Sequence, residues 1–535
     1  MLNRTTVNLV STCSTGRHFP PIDSFRNFLS ALYMAYPLKK DGMGLYERGF
    51  GKRALIQRTI QEKRSREDQD DGFMLFDLGD VFNKWRKWKK AIPRVTPFYA
   101  VKCNPDVKVL RLLSALNCGF DCASKGELKL LRETIGVHPE RIINANTWKQ
   151  CSHLEYAREH GVKMMTFDSE KELDKVKKIH PEAELVLRLS ILDPTAQFPF
   201  GIKFGCKVED ASYLLNKAKK LELNIIGVGF HIGSGSRNPP IFEKAIGDAR
   251  KVFDDGAKLG FKMYLLDIGG GFPGKKNLGP TDVPFEPFAE AVNKALAKHF
   301  PDESAVHVIS EPGRFFNESA GTLVVNIYGK RKKTHPARPD DETGDGKPGL
   351  AGLSQGYDYF VNNGVFSSFG RNLINYGDVP PVPLDETKLE KPKFTTTVYG
   401  DTCAEMDYCN EECELPELNI GDWLFYEDIG AYHCINEGSF NGFKPPVTFH
   451  YAAPQIDNFL AFIKQLEDAA TYPEGKPWEA RARPVIRERI RRGIQSRMPG
   501  AIKLRIAPDA IQEAVHPFVC RAPQDNDDFF CLNDN

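Results

Sequence analysis

The feature that most constrains the fold is an alternation of eight short apolar, β-prone runs with segments of helical periodicity between residues 97 and 310. Strands that alternate with helices are typical of parallel sheets, because each helix carries the chain back across the sheet. Eight such units are what a (β/α)8 TIM-type barrel requires. A doubly wound open sheet is the competing architecture, and only the count of eight argues against it. The predicted strands are Phe98–Val101, Gly119–Cys122, Arg141–Ala145, Lys163–Phe167, Glu184–Arg188, Ile225–Phe230, Tyr264–Ile268 and His307–Ser310.

The alternation of strands and helices ends at about residue 316, and after it Gly-containing turns separate further strand-like runs. These runs predict a C-terminal antiparallel β domain. They are Val324–Tyr328, Tyr357–Val361, Phe394–Tyr399, Trp423–Tyr426 and Val447–Tyr451.

The predicted organisation has four parts. They are an extension at 1–70, partly helical and partly disordered, a barrel at 71–316, a β domain at 317–455 and a C-terminal extension at 456–535. Residues 330–356 are charged, rich in Pro and Gly and without apolar periodicity, which predicts a mobile loop inside the β domain. The run Phe73–Asp77 is strand-like and either begins the barrel domain or joins the β domain. The basic stretch Trp478–Met498 predicts a surface helix.

The charge balance excludes some partners. Lys and Arg number 72 against 71 Asp and Glu, so the net charge of +1 gives no general attraction to nucleic acid or to a membrane. No apolar run reaches the length of a membrane-spanning helix. The cysteines follow no scaffold spacing, which favours reduced thiols and a cytoplasmic location. Cys403, Cys409 and Cys413 lack the paired spacing of a metal site, so we predict no metal.

Chemically active side chains follow the predicted barrel strands at their carboxyl ends, where barrel enzymes place their active sites. Gly269, Gly270 and Gly271 follow the seventh strand and predict a loop whose backbone amides bind an anion. Ser234 can add a hydroxyl group and Arg314 a positive charge. A lysine, an anion pocket and a carboxylate on one rim together suggest pyridoxal 5'-phosphate as the cofactor. The other rim residues are Lys102, Asp121, Arg188, His231 and Glu311.

At these residues the sequence resembles the eukaryotic-type ornithine decarboxylase family of pyridoxal-phosphate enzymes. The resemblance runs from about residue 73 to residue 451. It implies a barrel of the alanine-racemase type with a C-terminal β domain, and a head-to-tail homodimer whose active sites lie at the interface. The motifs that carry it are Pro97–Asp106 (PFYAVKCNPD), Gly119–Glu127 (GFDCASKGE), Met165–Glu170 (MTFDSE), Gly229–Gly235 (GFHIGSG), Leu266–Gly274 (LDIGGGFPG), Glu311–Arg314 (EPGR) and Gly421–Trp423 (GDW).

The resemblance also implies a role for each matching residue. Lys102 corresponds to the Schiff-base lysine, Glu311 to the partner of the pyridine nitrogen, and His231 to the imidazole that stacks on the ring. Cys403 corresponds to the cysteine that acts across the interface and returns a proton to the α-carbon of the substrate. The remaining cofactor contacts would be Asp121, Glu127, Arg188, Ser234, Gly269, Gly270, Gly271, Arg314 and Tyr432.

Two positions depart from the family pattern, and both concern the far end of the substrate. The family uses two aspartates to hold the distal ammonium of ornithine, where this chain has Asn375 and Ala404. Loss of both carboxylates would leave a buried ammonium poorly paired. Glu405 or Asp378 are the acids that could replace them.

These observations favour a decarboxylase of ornithine or a related amino acid that releases CO2 and an amine, either putrescine for polyamine synthesis or a specialised-metabolite amine. Two alternatives remain open. One is an amino-acid racemase on the same fold, against which Glu311 argues, because such racemases usually place an arginine at the pyridine nitrogen. The other is a non-catalytic, decarboxylase-like regulatory protein, against which the retained cofactor residues argue.

Overall fold

A closed barrel of eight parallel strands forms the larger part of the described structure. The computed structural model describes residues 43–45, 51–301, 305–333, 356–370, 379–434 and 437–452. The last barrel strand pairs with both the first and the strand before it, and this closes the ring. The barrel strands are β3 (Val95–Ala100), β4 (Gly119–Cys122), β5 (Ile142–Asn144), β6 (Met164–Phe167), β7 (Glu184–Leu189), β8 (Asn224–Phe230), β9 (Leu265–Asp267) and β10 (His307–Ser310).

Helices follow the barrel strands, as the alternation predicts. Side chains at their first turns explain where several of them begin. Asp106 accepts hydrogen bonds from the backbone N–H groups of Lys108 and Val109, at 2.9 and 3.1 Å, and so satisfies donors that a helix leaves unpaired. The helices after β3 to β10 are Val107–Ala115, Lys125–Lys129 continued by a π-helical turn at Leu130–Ile135, Cys151–Glu159, Glu170–Ile179, Val208–Lys220, Ile241–Lys258, Phe285–His299 and Arg314–Asn317.

The second part is a strongly curved β sheet built from segments on both sides of the barrel. Strand β2 pairs antiparallel with β11 and parallel with β17. Strand β11 also pairs antiparallel with β12 and with β16. The strands outside the barrel are β1 (Met43–Leu45), β2 (Phe73–Asp77), β11 (Gly321–Lys333), β12 (Gly356–Val361), β13 (Val382–Pro383), β14 (Lys393–Tyr399), β15 (Tyr408–Pro416), β16 (Trp423–Tyr426) and β17 (Val447–Ala452).

The helix Lys52–Lys63 packs on this sheet, although it lies in the segment predicted as an extension. Leu55 and Ile56 are buried against Phe73 and Phe425. Arg53 donates to the backbone oxygen of Pro383 at 2.6 Å. This helix is therefore part of the β domain's hydrophobic core. Residues 1–42 and 46–50 lie outside the described residues.

The β domain differs from the sequence prediction in three details. The pairs β12–β14 and β2–β17 are parallel within an otherwise antiparallel sheet. Strand β15 was not predicted, because its sequence YCNEECELP alternates poorly and carries three glutamates. Strand β11 continues to Lys333 and β12 begins at Gly356, so both ends of the loop predicted at 330–356 are strand. Residues 334–355, and the predicted helix at Trp478–Met498, lie outside the described residues.

No helix among the described residues is both long enough and apolar enough to cross a lipid bilayer.

Candidate active site

Lys102 and Asp121 form an ion pair at the carboxyl end of the barrel. Lys102 lies in the 3-10 turn Val101–Cys103 directly after β3, and its ammonium donates to the Asp121 carboxylate on the neighbouring β4. The side chain of Lys102 is 41% exposed, and its partial loss of water would alone lower its pKa. The carboxylates of Asp121 and Glu311 outweigh this effect and hold the pKa above its ordinary value. Asp121 therefore stabilises the protonated form of Lys102.

A buried pair of carboxyl groups lies across the rim from the lysine. Asp267 at the end of β9 and Glu311 directly after β10 are only 2% and 7% exposed and share a hydrogen bond. Burial raises the pKa of Asp267 to about 7, and burial together with Asp267 and Asp121 raises the pKa of Glu311 well above its ordinary value. At least one proton is therefore held between them near neutral pH.

Asp267 is a site residue that the sequence analysis missed. The available signal was a carboxylate at the end of a buried barrel strand, in the motif LDIGGG. The backbone N–H of Gly269 donates to its Oδ1 at 2.8 Å, and the carbonyl oxygen of Gly269 accepts from the Glu311 N–H at 2.7 Å. The first of these contacts occupies the Gly269 N–H. Gly269 therefore joins β9 to β10 and, contrary to the prediction, does not offer its amide to an anion.

His231 is held as a neutral ring. It directly follows β8, and its Nδ1 accepts a hydrogen bond from the Gly233 N–H at 3.0 Å. Burial lowers its pKa well below the ordinary value, and the charges of Arg188 and Lys102 lower it further. Arg188, on β7, also lowers the pKa values of Asp267 and Glu311, so it lies near the same rim.

Glu127 has a structural contact in addition to its place near Lys102. Its Oε2 accepts from the Ala123 N–H at 2.6 Å, and its own N–H donates to the Ser124 hydroxyl oxygen at 3.3 Å. These contacts fix the first turn of the helix Lys125–Lys129. Burial raises the pKa of Glu127, while the charge of Lys102 lowers it.

Arg314 and Ser234 are the polar groups of a candidate anion cradle. The Arg314 Nε donates to the Ser234 hydroxyl oxygen at 3.2 Å, and its Nη1 donates to Glu318 Oε1, also at 3.2 Å. The Arg314 guanidinium lies 4.8 Å from the ring centroid of Tyr432. An arginine that is only 9% exposed beside a hydroxyl group is well suited to bind a phosphate.

Tyr432 reaches this cradle from the β domain by an unusual backbone conformation. Its φ of 58° lies in the left-handed region, which a tyrosine rarely adopts. Its N–H donates to the backbone oxygen of Cys103 at 2.8 Å, next to Lys102. A strained residue at this position is a feature of functional sites.

The residues present fit pyridoxal phosphate. Oδ1 of Asp121 is buried without a hydrogen-bond partner among the described residues, which leaves an acceptor for a bound group. A Cβ on Gly270 would lie 2.8 Å from His231 Nε2, and one on Gly271 would lie 2.6 Å from the Gly233 oxygen. The backbone at this cradle is thus packed too closely for side chains. The lysine can react with the aldehyde of the cofactor, the carboxyl pair can hydrogen-bond to its pyridine nitrogen, and the anion cradle can bind its phosphate.

The structure does not bring the predicted cysteine to this rim within one chain. Cys403 is exposed on the loop between β14 and β15, and its N–H donates to Asn441 Oδ1 at 3.2 Å. Ala404 and Glu405 lie on the same loop, and Glu405 is exposed. Asn375 and Asp378 lie outside the described residues.

A parallel barrel with these groups at its carboxyl end, joined to a β domain that contributes Tyr432, defines a barrel-type pyridoxal-phosphate enzyme. Residues 78–318 match the family model for the pyridoxal binding domain of pyridoxal-dependent decarboxylases. The chain is 41% identical to ornithine decarboxylase from Rattus norvegicus over 433 residues, which cover 80% of this chain and 90% of the relative. The chain belongs to the ornithine decarboxylase family, and it is a pyridoxal-phosphate-dependent amino-acid decarboxylase.

Other relatives show the breadth of the family. Antizyme inhibitor 2 from Xenopus laevis is 42% identical over 419 residues, which cover 78% of this chain and 89% of the relative. The solved arginine decarboxylase of Paramecium bursaria Chlorella virus has a TM-score of 0.67 at 32% identity, covering 74% of this chain and 100% of that chain. The lysine/ornithine decarboxylase of Vibrio vulnificus complexed with putrescine has a TM-score of 0.63 at 28% identity, covering 74% and 97%.

Proposed function

We propose that the protein removes the α-carboxylate of ornithine or of a related basic amino acid as CO2 and releases the corresponding amine. The observation that carries this proposal is the Lys102–Asp121 ion pair facing the buried Glu311–Asp267 pair on one rim. Curated relatives of this chain are named ornithine decarboxylase, and solved relatives are decarboxylases of arginine, lysine or ornithine. The amino acids in these names, ornithine, lysine and arginine, all have cationic side chains.

Pyridoxal phosphate, when bound, supplies an electron sink that stabilises negative charge at the substrate α-carbon. The chain's own groups have separate tasks. Lys102 holds the cofactor, and Asp121 hydrogen-bonds its Nζ and orients it. Glu311, supported by Asp267, keeps a proton at the pyridine nitrogen, and His231 offers a neutral ring face. The phosphate contacts are Ser234, Gly271, Arg314 and Tyr432.

The active site would be completed by a second copy of the chain. Cys403, proposed to return a proton to the α-carbon, is exposed and makes its hydrogen bond within the β domain. Exposed apolar side chains lie in the same region, with Met406 at 52% and Phe440 at 45% exposure, and also on the rim loop after β7, with Leu192 at 57% and Ile202 at 87%. Exposed apolar surface of this kind is typical of an interface. A homodimer that joins the two regions would bring Cys403 to the partner's barrel.

The far end of the substrate is the part of the site that is least like the family pattern. Ala404 has no charge, and its N–H donates only weakly to the Thr402 hydroxyl oxygen at 3.4 Å. Glu405 is the neighbouring acid on that loop. We propose that the preferred substrate has a distal group that is larger, differently charged or already substituted compared with ornithine.

Every cysteine that the structure describes is a free thiol, which supports a cytoplasmic setting.

The direct test is CO2 and amine release by the purified holoenzyme over a panel of ornithine, lysine, arginine and their N-substituted forms. Release from at least one of them at turnover above 0.1 s⁻¹, roughly a hundredth of the median enzyme value, is the expected result. Absence of release from the whole panel by protein with a normal cofactor spectrum would contradict the proposal. That outcome would favour a non-catalytic regulatory role.

A further inference from the structure

Two loops at the rim are joined to each other by backbone hydrogen bonds. We call residues 190–207 the β7 loop and residues 231–240 the β8 loop, after the strands that precede them. The N–H of Phe198 donates to the oxygen of Ser234 at 3.0 Å, and the N–H of Ser234 donates back to the oxygen of Phe198 at 3.1 Å. The residue that contacts Arg314 is therefore fixed by a backbone pair to the β7 loop.

Glycines of the β8 loop press against the β7 loop. Gly233 has a φ of +96°, and a Cβ there would lie 2.7 Å from the Phe198 oxygen. Gly235 has a φ of +71°, and a Cβ there would lie 2.9 Å from the Gln197 Cβ. Contacts this close leave little room for independent movement, so a shift of the β7 loop would move Ser234.

A buried carboxylate joins the two loops below this contact. Asp193, on the β7 loop, has no exposed surface. Its Oδ1 accepts from the N–H and the hydroxyl group of Thr195 at 3.0 and 2.8 Å, and its Oδ2 accepts from the Ser236 hydroxyl group on the β8 loop. The network continues across the loops, because the Arg237 N–H donates to the Thr195 hydroxyl oxygen at 3.2 Å.

A buried carboxylate is costly unless its oxygens are hydrogen-bonded, so these contacts are needed to keep Asp193 in place. Among the described residues, Asp193 makes no hydrogen bond to Arg314 or to Ser234. We propose that Asp193 is a positioning residue, which holds the β8 loop so that Ser234 and its neighbouring amides face the cofactor phosphate. This rests on the proposed phosphate site.

Comparison of two ligands isolates this role. Apoprotein made from the full chain is titrated with pyridoxal phosphate and with pyridoxal, which keeps the aldehyde and lacks the phosphate. Asp193→Ala is expected to weaken pyridoxal phosphate binding at least tenfold, while pyridoxal binding changes less than twofold. Asp193→Asn is expected to retain most of the phosphate preference, because an amide can accept from Thr195 and donate to the Ser236 oxygen.

The chain offers a matched control. Asp385 accepts from the N–H and the hydroxyl group of Thr387 at 3.0 and 2.7 Å, the same Asp-x-Thr arrangement on an exposed turn of the β domain. Asp385→Ala should leave both affinities unchanged. Ser234→Ala is the positive control and should reduce the phosphate preference.

The outcomes distinguish a positioning role of Asp193 from the phosphate site itself. Equal losses for both ligands in Asp193→Ala, or no loss for either while Ser234→Ala loses its preference, would overturn the positioning role alone. An unchanged preference in Ser234→Ala would remove the phosphate site and with it this proposal. If Asp193→Ala does not fold, Ser236→Ala decides the question, with an expected loss of about threefold for pyridoxal phosphate only, since one hydrogen bond is removed.

Discussion

The carboxyl groups of Asp267 and Glu311 hydrogen-bond to each other inside the barrel rim, although both are buried and both bear negative charge when ionised. Two such groups avoid mutual repulsion by keeping a proton between them. The pair comes from adjacent strands, with Asp267 ending β9 and Glu311 following β10. The fold thereby stores, beside the proposed cofactor site, a proton that ordinary carboxyl groups would have lost at neutral pH.

This stored proton should make the stability of the apoprotein pH-dependent. The pKa of Asp267 is raised by burial from 3.8 to about 7, so the native state binds more protons than the unfolded state between these values. Stability from this group is thus fully present below about pH 4 and is lost as the pH rises to 7, with a slope of at most about 1.4 kcal/mol per pH unit per proton. Urea unfolding from pH 5 to 8 should show a smaller loss of stability in Asp267→Asn than in the wild type, because the variant lacks the Asp267 proton while burial still raises the pKa of Glu311. Parallel curves would show that Asp267 binds no extra proton in the native state.

Glu311 should affect turnover more than substrate binding. Glu311→Ala removes the proton held at the pyridine nitrogen, and we expect kcat to fall about 100-fold or more, the range for preorganised electrostatic partners, with a small change in KM. Steady-state kinetics at equal cofactor occupancy measure this. Near-normal turnover would assign Glu311 a structural role only.

Lys102 should be the lysine that carries the cofactor. Borohydride reduction of the holoenzyme followed by peptide mapping should find the pyridoxyl group on Lys102. Lys149 is an internal control, because burial lowers its pKa to about 8 while its Nζ is paired with Glu172 and not with Asp121. Labelling of Lys149 would mean that basicity rather than position selects the lysine, and the proposed site would be incorrect.

The shared active site predicts complementation between two inactive variants. Lys102→Ala and Cys403→Ala are each expected to lose almost all activity. When the two are mixed and subunits exchange at random, about half of the dimers are hybrids with one intact site, so about a quarter of wild-type activity should return. Exchange confirmed by mass spectrometry without any return of activity would place both residues' function within one chain.

The distal site should respond to restored acids. In Asn375→Asp/Ala404→Asp, kcat/KM for ornithine is expected to rise at least tenfold, about 1.4 kcal/mol of transition-state binding. Glu405→Gln is the companion variant and should change this value little if Glu405 does not pair with the substrate. A wild type that already matches the double variant would identify Glu405 or Asp378 as the replacement acid.

Much of the fold could be predicted because the barrel strands are buried on both faces and appear as continuous apolar runs. All eight predicted runs overlap barrel strands, and most agree within one or two residues. Strand β15 could not be predicted in this way, because its exposed glutamates interrupt the apolar pattern. The helix Lys52–Lys63 was judged by its charged neighbours, while its burial depends partly on Val324 of β11 and Phe425 of β16, which are distant in sequence.

The site was partly predictable for a similar reason. Residues at strand ends share a rim because all barrel strands are parallel, so Lys102, Asp121 and Glu311 could be grouped from sequence. Asp267 was missed because its role depends on contact with Glu311, more than 40 residues later. The occupied N–H of Gly269 could not be inferred either, since the motif GGG does not show which glycine faces an anion.

Strand β2 precedes the barrel in sequence, but the strands with which it pairs, β11 and β17, are synthesised only after the barrel. Residues 78–320 separate β2 from β11. At roughly 5–20 residues per second, ribosomes take about 12–50 s to synthesise that segment, and β17 emerges later still. During this interval the apolar strand FMLFD has no partner and is prone to aggregate. The nascent chain should therefore depend on chaperones that bind this segment, whereas the barrel can fold before translation ends.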